Sequence, residues 1–216
     1  MTLSGATLWK QVLAKLPLIA ILRGVAPREA VAMAQALSQA GFLCVEVPLN
    51  SPNALESISE LRRHFAGRLL VGAGTVLTES EVVAIHQAGA QLVVSPNTNP
   101  RVITAAKGLD LICVPGFATP TEALAGIAAG ADALKLFPAE SASPEVVRAL
   151  RAVLPASLPI FPVGGITTAN MAAYIAAGAG GFGIGSAIYS PGTSADIVGH
   201  RAAMFVKAWT VKGPHS

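Results

Sequence analysis

Short runs rich in Val, Ile, Leu and Phe punctuate the chain at residues 18–22, 42–49, 69–76, 91–95, 111–117, 133–137, 160–163 and 181–188. Their starts lie about 20–27 residues apart, the length of a strand plus a helix. Being almost continuously apolar, the runs read as strands buried on both faces, as parallel strands are. Between them, helical patterns over 27–40, 79–88, 121–129 and 168–177 stop at Gly41, Gly89, Gly130 and Gly178, glycine being a common residue just past a helix. Three joints repeat one another, Ala40-Gly41-Phe42, Ala88-Gly89-Ala90 and Ala129-Gly130-Ala131, which suggests a repeated strand–helix unit. Eight such units predict an α/β protein, a TIM (β/α)8 barrel. The segment before Leu16, with Trp9, Val12 and Leu13, predicts an extra N-terminal helix over the barrel floor. A doubly wound open sheet is the alternative, but no Gly-x-Gly-x-x-Gly turn follows the first run. With no linker or low-complexity segment, residues 1–216 are expected to form a single domain.

The chain of 216 residues is 52% hydrophobic and 12% charged. Such a composition implies a large core and a further apolar surface covered by another subunit. The net charge is only +3, and Arg62-Arg63 is the one adjacent basic pair, so no nucleic-acid groove is expected. Cys44 and Cys113 lie in apolar runs without metal-ligand spacing, and read as reduced core thiols of a cytoplasmic protein. The N-terminus lacks the pattern of a secretion signal. Residues 152–195 contain no Asp, Glu, Lys, Arg or His, but the glycines from Gly164 to Gly183 argue against a membrane helix there.

Lys135 stands out in Ala133-Leu134-Lys135-Leu136-Phe137-Pro138. An ammonium taken out of water sheds its proton readily, and a neutral amine in a dry pocket is a nucleophile suited to imine formation. The alternative is a core lysine paired with a buried carboxylate. Glu46, in Cys44-Val45-Glu46-Val47-Pro48, is embedded in the same way. The second and sixth strands of an eight-stranded barrel face each other, so the two side chains can meet in the lumen, as an inert ion pair or as a base and an amine. Polar residues concentrate at the strand ends: Arg23, Glu46, Thr75, Pro96-Asn97, Lys135, Gly164-Gly165 and Ser186. The motifs Val163-Gly164-Gly165-Ile166 and Gly183-Ile184-Gly185-Ser186 end the seventh and eighth runs, where many such barrels hold a phosphate on backbone N–H groups. With no cation between 152 and 195, amide dipoles would hold that anion. His64, His86, His200 and His215 fall in helix or tail positions, so neither a metal site nor a nucleophilic triad is expected.

The segments Leu18-Ile19-Ala20-Ile21-Leu22-Arg23-Gly24, Val45-Glu46-Val47-Pro48-Leu49-Asn50-Ser51-Pro52, Gly72-Ala73-Gly74-Thr75-Val76, Ala133 to Pro138 and Val163-Gly164-Gly165, in that order, resemble the 2-dehydro-3-deoxy-6-phosphogluconate/galactonate aldolases. The resemblance runs from about Leu16 to Trp209. It implies a class I, Schiff-base aldolase that cleaves a phosphorylated keto-sugar acid to pyruvate and glyceraldehyde 3-phosphate, as a homotrimer without metal or cofactor. It also implies roles: Lys135 forms the imine, Glu46 is the general acid/base, and Arg23 and Thr75 hold the pyruvate carboxylate. Gly164, Gly165 and Ser186 hold the phosphate, and Pro96 and Phe137 pack the imine. Val163 and Asn50 are similar to galactonate-type members, where gluco-type members carry Thr and Arg, and imply a preference for the galactonate epimer. The same reaction on the gluco epimer, a phosphosugar epimerase or isomerase, and a non-enzymatic phosphate-binding barrel remain as alternatives.

Overall fold

The computed structural model describes residues 3–212. Helix α1 (Gly5–Lys15) precedes an alternation of parallel strands and helices. These are β1 (Leu18–Ile21), α2 (Pro27–Ala40), β2 (Cys44–Pro48), α3 (Ala54–Phe65), β3 (Leu70–Gly74), α4 (Glu79–Gln87), β4 (Leu92–Val94), α5 (Pro100–Gly108) and β5 (Ile112–Val114). There follow β6 (Gly116–Phe117), α6 (Pro120–Ala128), β7 (Leu134–Leu136), α7 (Pro144–Arg151), β8 (Ile160–Pro162), α8 (Met171–Ala176), β9 (Phe182–Ile184) and α9 (Ala195–Lys212). One sheet runs β5-β4-β3-β2-β1-β9 and a second runs β6-β7-β8, with Val163 bridging to Gly183 between β8 and β9.

Each apolar run contains a strand, but the run 111–117 is two strands, β5 and β6, divided at Pro115. Val114 pairs with β4, whereas Gly116 pairs with Lys135 of β7. Pro115 has no N–H to continue a ladder, yet its carbonyl accepts from Lys135 N at 2.8 Å, so the chain changes sheets there without losing its direction. The expected strand 181–188 keeps only Phe182–Ile184; the rest turns, with Ile188 N and Tyr189 N both donating to Gly185 O. Helices α3, α5, α7 and α9 complete the set beyond the four that the glycine stops mark.

Those four stops share one geometry. Gly41, Gly89, Gly130 and Gly178 have φ of 109°, 88°, 99° and 102°. After each, the following N–H reaches back five residues: Phe42 to Leu37 O, Ala90 to Ile85 O, Ala131 to Gly126 O and Ala179 to Tyr174 O, at 3.0, 2.9, 3.1 and 3.0 Å. This closes the last turn with a left-handed cap that only glycine adopts freely. The stems of Arg62, Lys107 and Arg151 lie over Gly89, Gly130 and Gly178, and Val206 of α9 lies over Gly41. Helices α4 and α6 also begin alike, with Thr78–Glu81 and Thr119–Glu122 capping boxes. The repeat legible in the sequence is therefore a repeated way of ending a helix and entering the next strand.

Alternation along the strands sorts the core into two layers. One side of each strand packs on the helices, as Val45, Val71, Val93 and Leu134 do. The other side packs inward, where Ile19, Cys44, Leu70, Leu92, Ile112, Ala133 and Phe161 form a cluster with Leu8, Trp9 and Val12 of α1. The Trp9 and Phe161 ring centroids are 5.8 Å apart. Two residues beyond Cys44 and Ala133 on the same inward faces are Glu46 and Lys135. Among the described residues no helix is long and apolar enough to cross a membrane.

Gly89→Ala isolates the cap geometry, because a Cβ there would meet nothing closer than Arg62 Cγ at 3.5 Å. It should cost about 1 kcal/mol in urea unfolding, from the left-handed backbone alone. Gly178→Ala should cost more, since its Cβ would approach Arg151 Cγ to 2.8 Å.

Candidate active site

A cavity of about 880 Å³ opens at the C-terminal ends of the strands. Nine of the eleven residues expected at the site line it. Arg23, Thr75, Pro96, Lys135 and Phe137 surround one part, and Val163, Gly164, Gly165 and Ser186 the other. Glu46 and Asn50 do not line it: the Glu46 carboxylate lies against Gly74, and Asn50 Oδ1 accepts from Arg23 Nη1.

Lys135 is 4% exposed and Glu46 is 1% exposed. Burial pulls the Lys135 amine below its ordinary value, and the positive charge of Arg23 adds to this while Glu46 opposes it. Burial pushes the Glu46 carboxyl up to about 7, against the opposing pull of Lys135 and Arg23. Glu46 Oε2 is buried without a hydrogen-bond partner. A core ion pair kept for packing would have its oxygens satisfied, so this orphaned oxygen weighs for chemistry. The carboxylate lies against Gly74, where any Cβ would collide with it. Lys135 Nζ stands 4.7 Å from the centroid of the Phe137 ring, two residues on along the same face.

Thr75, next to Gly74, has φ of 58°, a conformation that β-branched residues rarely hold. Thr75 lines the cavity, so this backbone strain is held at the site itself. On the opposite side, Gly164 and Gly165 also have positive φ, at 106° and 62°. Asn170 ties down their turn: its Nδ2 donates to Gly165 O at 2.9 Å, and its Oδ1 accepts from Thr167 N at 2.9 Å. The N–H groups of Gly165 and Ser186 have no acceptor among the described residues, which leaves them free for an anion.

Some residues of this site escaped sequence reasoning. The Glu140 carboxylate also lines the cavity and packs against the Gly164–Gly165 turn, where a Cβ on Gly164 would collide with its Oε2. Tyr174 Oη sits 3.1 and 2.8 Å from the carbonyls of Ala139 and Ala142, and so pins the segment that carries Glu140. Asn170 and Gly74 were also passed over; the place of Gly74 beside Thr75 was the available signal. Of the histidines, His64 caps its own helix through Glu60 O, while His86 and His200 lie in α4 and α9. His215 lies outside the described residues. Among the described residues no three His, Cys, Asp or Glu side chains form a metal-binding group.

The family described as KDPG and KHG aldolase matches residues 9–204. The chain is 47% identical over 195 residues to 2-dehydro-3-deoxy-6-phosphogalactonate aldolase of Escherichia coli K12, covering 90% of this chain and 95% of that protein. Its structure is similar to one described as native KDPGal, with a TM-score of 0.90, 46% identity, and coverage of 92% of this chain and 96% of that one. It is also similar, with a TM-score of 0.78 and 27% identity over 93% of this chain and 96% of that one, to KDPG aldolase of Legionella pneumophila with pyruvate captured as a covalent carbinolamine.

The raised Glu46 carboxyl has a consequence for stability. Its folded value of about 7 lies above the unfolded value near 4.5. Between these limits the unfolded chain releases a proton that the folded chain keeps, so folding loses stability as pH rises through that window. Glu46→Gln should therefore stabilise the protein, little at pH 5 and by on the order of a few kcal/mol at pH 8. Urea midpoints at the two pH values read the difference; equal destabilisation at both would make Glu46 a structural partner instead.

Proposed function

The chain belongs to the KDPG and KHG aldolase family, and we propose that it cleaves 2-dehydro-3-deoxy-6-phosphogalactonate to pyruvate and D-glyceraldehyde 3-phosphate. The observation that carries this reading is Lys135, an amine 4% exposed on an inward strand face and held below its ordinary basicity at the cavity floor. Neutral Lys135 attacks the C2 ketone to give a carbinolamine; protonated Glu46 then supplies a proton as the C2 hydroxyl leaves as water, and a protonated imine remains. That cation accepts the electron pair of the C3–C4 bond. Glu46 takes the proton of the C4 hydroxyl, the bond breaks, and glyceraldehyde 3-phosphate leaves behind an enamine. A carboxyl near 7 is suited to both directions of proton transfer at neutral pH. Protonation at C3 and hydrolysis release pyruvate and restore the amine.

Arg23 and Thr75 hold the carboxylate end, with Pro96 and Phe137 packed on the imine. Gly164, Gly165 and Ser186 hold the phosphate, far enough from C3–C4 to orient the substrate without taking part. Val163, in the cavity wall beside Gly164, has the volume of threonine but no hydroxyl to favour the gluco configuration at C4, which supports the galactonate epimer. An epimerase using Lys135 as a charged stabiliser fits less well, because burial and Arg23 both disfavour the ammonium.

The two sheets, bridged at Val163–Gly183 and meeting at Pro115, are read as one (β/α)8 barrel with α1 across its floor, in a single domain. A cytoplasmic homotrimer is the proposed form. Exposed Leu55, Leu77 and Val83, beside a second cavity lined by Leu49, Ala54 and Ala84, support a subunit contact there.

A lactate dehydrogenase-coupled assay should detect pyruvate from both epimers, with kcat/KM higher for the galactonate one by several-fold to roughly tenfold, the worth of one hydrogen bond. Borohydride with pyruvate should inactivate the protein and add a pyruvate-derived mass at Lys135; Lys135→Met should abolish both activity and labelling. An unlabelled, active enzyme would end the imine mechanism. Gly165→Val should raise KM strongly for the phosphorylated substrate and much less for an unphosphorylated analogue. Equal loss on both would move the phosphate elsewhere.

A further inference from the structure

Arg23 follows β1 at the cavity mouth and is exposed, and an unrestrained arginine there would sample many rotamers. It does not hang free. Its Nη1 donates to Asn50 Oδ1 at 2.7 Å, from the loop after β2. One residue on, Gly24 N donates to Ser51 Oγ at 2.9 Å, so two adjacent hydrogen bonds join the two loops. The loop that accepts them is itself fixed: Leu49 N donates to Gly74 O at 2.8 Å and Ser51 N to Pro48 O at 2.9 Å. Asn50 is absent from the residues that line the cavity, whereas Arg23 lines it.

We propose that Asn50 is a positioning residue that aims the Arg23 guanidinium into the cavity, with Ser51 docking the loop that carries it. The inference rests on the aldolase reading for what Arg23 then binds, the substrate carboxylate. With Nη1 engaged, the remaining N–H groups of the fork stay available for a carboxylate. An amide acceptor suits this task better than a carboxylate would, because it fixes the guanidinium without neutralising it. The aimed charge also reaches the reacting groups. Lys135 is faced by Glu46 and Arg23; Glu46 is faced by those two and by the Cys44 thiol; and Arg23 lowers the basicity of both Lys135 and Glu46.

Two variants separate position from charge. Asn50→Ala should raise KM for the keto acid roughly three- to tenfold, as one lost hydrogen bond would, with kcat within about twofold. It should also move the titration of Lys135, followed by NMR of protein labelled with [13Cε]lysine, to higher pH. Asn50→Asp keeps the acceptor but pairs Arg23 with a carboxylate, and should move that titration up further while leaving unfolding midpoints near those of the wild type. Wild-type KM and titration in Asn50→Ala would overturn the proposal, as would a lowered unfolding midpoint with both unchanged. The titration reads Arg23 through Lys135 without turnover. A wild type that cleaves neither epimer would thus overturn the aldolase reading, while the titration would still decide the role of Asn50.

Discussion

The structure is organised around the burial of one amine and one carboxyl in the same lumen. Lys135 and Glu46 are 4% and 1% exposed, and each is shifted by burial toward its neutral form more than the other restores its charge. Glu46 Oε2 has no hydrogen bond. A stable fold can hold such a pair only if the surrounding layers are otherwise apolar and well packed. Strand alternation supplies this. It sends Ile19, Cys44, Leu70, Leu92, Ile112 and Phe161 inward beneath the pair, sealed by Leu8, Trp9 and Val12 of α1. Gly74 is then forced, because the carboxylate lies where its side chain would be.

Destabilising features concentrate at the strand ends and stabilising ones at the helix ends. Thr75 holds φ of 58°, and Glu46 is a carboxyl that resists ionisation. Both are tolerated within a framework whose four glycine caps satisfy the last carbonyls of α2, α4, α6 and α8 in the same way. The caps are covered by Val206, Arg62, Lys107 and Arg151 from the neighbouring helices. These side chains pack against the caps at the opposite end of the layers from the cavity. Regularity there leaves the loops at the other end free to diverge, as functional loops on a rigid scaffold do.

What the sequence discloses follows from what contrasts locally. Lys135 and Glu46 are legible because a charge inside an apolar run is anomalous within a few residues. The parallel strands are legible because their apolar runs are continuous. Helices α5 and α7 are less so, since no glycine follows their ends at Leu109 and Ala152, while Gly67, at φ of 76° after α3, comes where Ala66 has already left the helix at ψ of 122°. Asp110, at φ of 56°, takes the left-handed position after α5 instead. The division of β5 from β6 was signalled by Pro115, yet the change of sheet depends on which carbonyl Lys135 N finds. Contacts between loops are not legible at all. Arg23 meets Asn50 across 27 residues of sequence, and Glu140 meets Gly164 only because Tyr174 pins the intervening segment. Polar residues in loops are common in any sequence, and their partners are chosen by the fold.

The same economy of charge bears on the proposed anion end, which draws on amides. No Lys or Arg occurs between 152 and 195, the stretch that supplies Val163 to Thr167 and Gly183 to Ser186. A cation placed there would act on Glu46 as Lys135 and Arg23 do, lowering it from about 7 and weakening it as the proposed base for the C4 hydroxyl proton. Amide dipoles act over a shorter range than a full charge, so they can grip an anion without retuning the proton-transfer end. Glu140, exposed beside the Gly164–Gly165 turn, is screened by water and adds little to the field at Glu46. With Arg23 in the binding role proposed above, its field serves the carboxylate of the substrate and also acts on both Lys135 and Glu46. Its position is therefore held from the next strand–helix unit, where Asn50 follows β2.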